Sequence, residues 1–184
     1  WTITWQMPAG TRSEALDDET LGLMVLSGQR NISYAPESGS EITLQKIKKK
    51  IKIERMKKSI SSALSKNMNV KLNLMMGFPD ETHKEIFQTL IFLKDAAIMG
   101  VDDVYIGAFA PYPGSELFDQ LYENGQIEKL DDKYFLNLSS NNDIFNPHSF
   151  SKHVSTGMLA FYRLGGMLMF YTIRFILHAE RIFR

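Results

Sequence analysis

Cysteine is absent from this 184-residue sequence. That excludes disulfides, thiolate zinc sites, a cysteine nucleophile and any metal cluster held by the chain's own thiolates. Net charge is absent as well, since Lys plus Arg and Asp plus Glu both count 21. A nucleic-acid binder usually carries a basic excess, so nucleic acid is not an expected partner. No signal peptide is visible, because the opening Trp1-Thr2-Ile3-Thr4-Trp5 has neither a basic n-region nor an apolar h-region. An apolar span of roughly 20 residues, the length that crosses a bilayer, is missing from the C-terminal segment. Its apolar stretch, Leu164 to Ile173, is closed off by Arg163 and Arg174. No internal repeat at solenoid periods is present.

What is there is ordinary globular composition, 44% hydrophobic and 23% charged, enough for one domain with a core or a large piece of one. The chain opens without Met and inside a strand pattern, so it is expected to be a fragment of a longer reading frame. Strand and helix signals alternate up to about residue 122. Thr2 to Met7 reads as a strand ended by the breaker Pro8-Ala9-Gly10. Asp17 or Asp18 caps a helix through Leu26 that stops at Gly28. Asn31 to Ala35 is a short strand, and a long lysine-rich helix is expected from about Ile42 to Lys66. Val70 to Met76 is a strand, followed by a helix that stops at Gly100. Val104 to Phe109 is the last strand, before a short helix from about Glu116 to Tyr122. This order implies right-handed crossovers and a parallel sheet, with ligands beyond the carboxyl ends of the strands.

Three loops at those ends carry candidate chemistry. In Pro36-Glu37-Ser38-Gly39-Ser40, the carboxylate can accept from vicinal hydroxyls or an ammonium group, and the serines can donate to a carboxylate or ribose. Ser40 as a plain helix cap, with Glu37 solvated, is the competing reading. In Gly77-Phe78-Pro79-Asp80-Glu81-Thr82, Gly77 permits close approach, Pro79 stiffens the turn, and Asp80 or Thr82 caps the next helix. In Pro111-Tyr112-Pro113-Gly114-Ser115, two prolines and a glycine fix the loop, and Tyr112 offers a ring or a phenol.

Taken together, in this order and on successive strands, the three loops resemble the second half of the radical S-adenosylmethionine (radical SAM) core. The similar subgroup contains cobalamin-dependent methylases, anaerobic magnesium-protoporphyrin ester cyclases and tRNA methylthiotransferases. Arg12-Ser13-Glu14-Ala15-Leu16-Asp17 also resembles the R-x-D-x-L segment after the third strand there, with Glu14 where Asp is usual. The resemblance covers residues 1–122. It implies an α/β fold, the C-terminal half of a partial (β/α)6 TIM-like barrel. In that family S-adenosylmethionine is cleaved to a 5′-deoxyadenosyl radical by a four-iron four-sulfur (4Fe-4S) cluster, whose ligands would lie outside this chain.

Carried over by resemblance, Glu37 and Ser38 would contact the ribose or methionine end of S-adenosylmethionine, and Lys49 would pair with its carboxylate. Met75, Gly77 and Pro79 would pack on adenine, and Phe109 to Tyr112 would wall the adenine or substrate. Arg12 and Ser40 are candidates on the substrate side. Asn73 stands where the fifth-strand pattern has glycine. Cobalamin, if used, would come with an upstream domain. The parent is therefore expected to be an enzyme acting on a small molecule, and this chain alone is expected to be inactive. The competing expectation is a non-catalytic, degenerate barrel segment serving as a binding or membrane-associated assembly module.

Beyond the barrel segment, residues 123–155 read as a polar linker. Residues 156–184 read as an apolar, Arg-flanked helical tail, either interfacial or docked on the missing half of the barrel. A cytoplasmic location is expected, with peripheral contact of the tail at the inner face of the membrane. In the run Lys46 to Lys52, helical spacing turns Leu44, Ile47 and Ile51 inward and the lysines outward, with Glu54, Asp80, Glu81 and Glu85 supplying acidity nearby. His83, His148, His153 and His178 lack metal-ligand spacing, and no metal site is expected.

Overall fold

The computed structural model describes residues 3–11 and 16–181. Within them run β1 (Trp5–Thr11), α1 (Asp18–Leu26), β2 (Gln29–Glu37), α2 (Glu41–Lys46), α3 (Ile53–Ser65), β3 (Asn69–Met76) and α4 (His83–Met99). They are followed by β4 (Asp103–Ala108), α5 (Glu116–Glu123), α6 (Asp132–Ser139) and α7 (Thr156–Leu177). The strands form one open sheet in the order β1-β2-β3-β4, and every neighbouring pair is parallel. Sequential order with parallel pairing needs crossovers of one hand, which put the crossover helices on one face.

Alternation along β3 divides the two faces. Val70, Leu72, Leu74 and Met76 are buried and join Met56, Ile60 and Ala63 of α3 and Ile86, Leu93 and Ala97 of α4 in the main core. The intervening Asn69, Lys71, Asn73 and Met75 are half-buried. On that side Asn69 Nδ2 donates to Asn31 Oδ1 at 2.8 Å and Lys71 pairs with Asp103 at 2.8 Å. All-parallel sheets ordinarily have both faces covered; here the helices cover one and leave the other as a polar trough of about 450 Å³.

Helix α7 lies against α4 and β4. Leu159 and Phe170 enter the main core, and Arg163 is fully buried. The guanidinium of Arg163 donates through Nε to Ile106 O at 3.0 Å, through Nη1 to Asp143 O at 2.7 Å and through Nη2 to Asn141 O at 2.9 Å. It thus satisfies a carbonyl of the edge strand that no further strand pairs, one way of closing a sheet edge. The opposite side of α7 exposes Phe161, Leu164, Leu168 and Phe175. Among the described residues no helix is long and apolar enough to cross a membrane.

Three local expectations need correction. The helix expected over residues 42–66 is two helices separated at 47–52, with Lys48 left-handed at φ 56°. A single helix would crowd the lysines along its surface; the break sends Lys46 to Glu85, Lys48 to Glu116 and Lys49 to Glu37. Pro8-Ala9-Gly10 does not end β1 but lies inside it. Proline is tolerated there because β1 is an edge strand, and Gly10 is required because a Cβ would stand 2.2 Å from Ala35 Cβ. Within residues 123–155, α6 forms where only polar chain was read, and Ile127, Tyr134, Leu138 and Phe150 join Phe78, Phe109, Phe118 and Leu121 in a second apolar cluster.

Candidate functional site

The second cluster sits beyond the carboxyl ends of β3 and β4, and one flank of it opens into a cleft of about 400 Å³. Glu37 enters from the end of β2, Lys46 to Lys49 from the end of α2, and Met75 and Phe78 from β3 and its loop. Phe109, Ala110 and Tyr112 come from the chain after β4, and Ser115, Glu116, Leu117 and Gln120 from the start of α5. The walls are apolar, with Phe78 and Phe109 ring centroids 5.0 Å apart. Charge is placed at the rim. Glu37 Oε1 and Lys49 Nζ are 2.6 Å apart and partly shielded, whereas the Lys48–Glu116 pair at 2.5 Å is mostly exposed. Water screens the exposed pair, so the Glu37–Lys49 pair is the stronger electrostatic feature.

Each wall is fastened from behind. Glu37 itself has φ 67°, a left-handed conformation uncommon outside glycine. Just after it, Ser38 Oγ and Thr89 Oγ1 are 3.0 Å apart, and Thr89 Oγ1 also accepts from Gly39 N at 3.0 Å. Gly39 is needed for this approach, since a Cβ would lie 2.5 Å from Phe92 Cβ and 2.8 Å from Thr89 Cα. Ser40 is buried and caps α2, its Oγ accepting from Thr43 N at 3.4 Å.

The β3 loop is held from inside. Gly77 has φ 86°, and a Cβ there would meet Leu159 Cδ2 of α7 at 2.8 Å. Glu81 Oε2 accepts from Gly77 N at 2.6 Å and from Phe78 N at 3.3 Å. Burial pushes the Glu81 carboxyl up to about 7, against the pull of those two amides. Burial alone would also raise Glu85, but the Thr82 amide and the Lys46 ammonium outweigh it and hold Glu85 below its ordinary value. Lys46 Nζ reaches Asp80 O at 2.8 Å and Glu85 Oε1 at 2.9 Å, tying α2 to this loop. Ser115 caps α5 and its hydroxyl donates to Tyr112 O at 2.8 Å.

Of the residues expected at a cofactor, Glu37, Lys49, Met75, Phe109 and Tyr112 come together in the cleft. Ser38, Gly77 and Pro79 lie behind its lining, where Ser38 and Gly77 shape the loops and Pro79 O accepts from Lys152 N at 2.9 Å. Arg12 lies outside the described residues. Glu116, Leu117 and Gln120 line the cleft without having been singled out in the sequence, and Lys46 and Lys48, expected as outward-facing lysines of one long helix, line it as well. Phe78 and Ser115 were legible only as members of their motifs. The chemistry on offer is a cleft with apolar walls and two ammonium–carboxylate pairs in its lining.

No family model matches the chain. The chain is similar to cytidylyl-2-hydroxyethylphosphonate methyltransferase of Streptomyces wedmorensis, 29% identical over 139 residues, which is 72% of this chain and 26% of that protein. An uncharacterized methyltransferase of Pyrococcus horikoshii is 25% identical over 125 residues, 68% of this chain and 26% of its own length. A protein of Methanocaldococcus jannaschii, described only provisionally as a methylthiotransferase, is 28% identical over 117 residues, 64% of this chain and 24% of its own length. The chain thus spans about a quarter of the length of these relatives. It is distantly similar to methyltransferase and methylthiotransferase enzymes.

Proposed function

We propose that this chain forms one wall of the S-adenosylmethionine pocket of a radical SAM enzyme of the methyltransferase or methylthiotransferase kind. The observation that carries the reading is the convergence of Glu37 from the end of β2, Lys49 from the segment after α2, Met75 from β3, and Phe109 and Tyr112 from the chain after β4 on one cleft. The cleft fits the cofactor's chemistry. Met75, Phe78 and Phe109 offer an apolar slot for adenine. Glu37 can accept from ribose hydroxyls or the methionine ammonium, and Lys49 can donate to the methionine carboxylate. The partial barrel belongs to the same proposal. One face of the parallel sheet is polar and uncovered by helices, as the inner wall of a (β/α) barrel would be when its remaining strands come from elsewhere.

A 4Fe-4S cluster would supply the electron that cleaves S-adenosylmethionine. With no cysteine in the sequence, its ligands would have to come from outside this chain. The residues present bind and orient. The Glu37–Lys49 pair would place the methionine end, the Phe78 and Phe109 rings would keep water from the adenine side, and Tyr112 would border the substrate. Substrate and reaction follow the relatives only as far as methyl or methylthio transfer. The test is Glu37→Ala in the full-length protein, with S-adenosylmethionine affinity measured by calorimetry. Loss of about tenfold is expected for removal of a charged hydrogen-bonding partner; unchanged affinity in a folded variant defeats the reading.

The second reading is a binding or assembly module that meets a membrane through α7. It draws on the uncharged outer side of that helix, where Phe161, Leu168 and Phe175 are exposed. Co-sedimentation with anionic vesicles, abolished by Phe161→Ser with Leu168→Ser, is the outcome that favours it.

A further inference from the structure

Glu81 is the one carboxylate of the three loop motifs that turns into the protein. Its side chain is 1% exposed. Oε2 holds the amides of Gly77 and Phe78, while Oε1 is buried without a hydrogen-bond partner. Thr43 Oγ1 of α2, also buried, is the nearby hydroxyl, close enough to favour the ionised carboxyl although outside ordinary hydrogen-bond geometry. The turn is gripped further by Glu81 N donating to Phe78 O at 3.0 Å and by Ser151 Oγ donating to Glu81 O at 3.0 Å. The Phe78 ring, whose backbone is held in this way, is a wall of the cleft and leans on Phe109 at 5.0 Å.

We propose that Glu81 is a positioning residue for the pocket: its buried carboxyl clasps the Gly77 and Phe78 amides and so fixes the Phe78 ring against which the ligand's flat group packs. The carboxyl does not touch the ligand and acts only through this loop. Gly77, left-handed at φ 86° with Leu159 packed where a Cβ would stand, has backbone freedom that no other residue would have there, so the clasp is what selects the conformation that presents Phe78. A buried carboxyl near neutrality also makes the clasp responsive to protons. An ionised carboxylate accepts amide hydrogen bonds about twice as strongly as a neutral acid. Protonated on Oε1, the group could turn its hydrogen to Thr43 Oγ1 while Oε2 keeps the amides. The charged groups around it are few. Glu85 of α4 opposes ionisation, Lys46 of α2 is engaged with Glu85, and Asp80 pairs outward with Lys152 at 3.0 Å. His83 Nδ1 is engaged with Tyr162 Oη at 2.9 Å.

The proposal rests on the S-adenosylmethionine reading for its ligand, and the test separates the two. Amide resonances of Gly77 and Phe78 are followed from pH 5 to 9 in the full-length protein and in Glu81→Gln. Calorimetry with S-adenosylmethionine is run on wild type, Glu81→Gln and Glu81→Ala. Expected are a shared titration midpoint near 7 for both amides, abolished in Glu81→Gln. Affinity should stay within about threefold of wild type for Glu81→Gln, which keeps an acceptor, and fall about tenfold or more for Glu81→Ala. Amides that do not titrate, or a folded Glu81→Ala that binds as wild type does, overturn the clasp. If no form binds S-adenosylmethionine, the functional reading fails while the amide titration still decides the clasp.

Discussion

Arg163 is the largest fully buried side chain among the described residues. Its three hydrogen bonds go to backbone carbonyls of β4 and of the segment at 141–143. Burial lowers its affinity for a proton, with Tyr105 and Asp143 working the other way. Arg163→Ala would leave three acceptors without their donor and a cavity between α7 and β4. At roughly 1–3 kcal/mol for each stranded group, offset by release of a buried cation whose desolvation is itself costly, the net loss is about 4 kcal/mol. Arg163→Met refills the stem volume but restores no donor, and should lose about half as much. Urea unfolding followed by far-UV circular dichroism reads both. For a chain of this length 4 kcal/mol lowers the Tm by about 10 °C. If Arg163→Ala lies within about 1 kcal/mol of wild type, the edge of β4 does not depend on this residue and the account of α7 as its cover is wrong.

Burial lifts the Glu81 carboxyl from its ordinary 4.5 to about 7, so between those values the folded protein holds a proton that the unfolded chain has released. Its contribution is present in full below about pH 4.5 and is lost as pH rises through 7, on the order of 3 kcal/mol. Urea midpoints across pH 5 to 8.5 should therefore fall more steeply in wild type than in Glu81→Gln; parallel profiles refute this. Gly39→Val should cost about 3 kcal/mol, because its Cβ overlaps the α4 backbone at Thr89; thermal melts check it, and a melting point unchanged by the substitution argues against the close approach. Anaerobic reconstitution of this chain with iron and sulfide should yield no stoichiometric cluster absorbance, since it contains no cysteine; a cluster absorbance at one per chain contradicts the assignment of ligands elsewhere.

Alternation of strand and helix was legible because apolar periodicity and capping residues are local signals. The end of α1 at Gly28, the strand Val70 to Met76 and the helix ending at Gly100 all lie within a residue or two of their expected places. The break at 47–52 was not legible. The lysines on either side of it end on Glu37, Glu85 and Glu116, which come from three other segments. Glu81 was read as acidity near the lysines, whereas the fold turns it inward to the Gly77 loop. The docking of α7 had a signal that went unused. Arg163 and Arg174 are 11 residues apart, which at 100° per residue returns to within about 20° of the same helix side. Both therefore face inward, Arg163 to Ile106 O and Arg174 to Asp102 at 3.5 Å.

The sequence by itself determined the alternation of strands and helices up to about residue 122, the parallel crossovers and the absence of thiolate ligands for a cluster, all of which follow from residue type and local spacing. Only the tertiary structure decided that five of the expected residues share one cleft, that Lys49 meets Glu37, and that Glu81 takes the Gly77 and Phe78 amides. Those facts depend on distances between segments dozens of residues apart, and no local pattern encodes which buried amides a carboxylate will find.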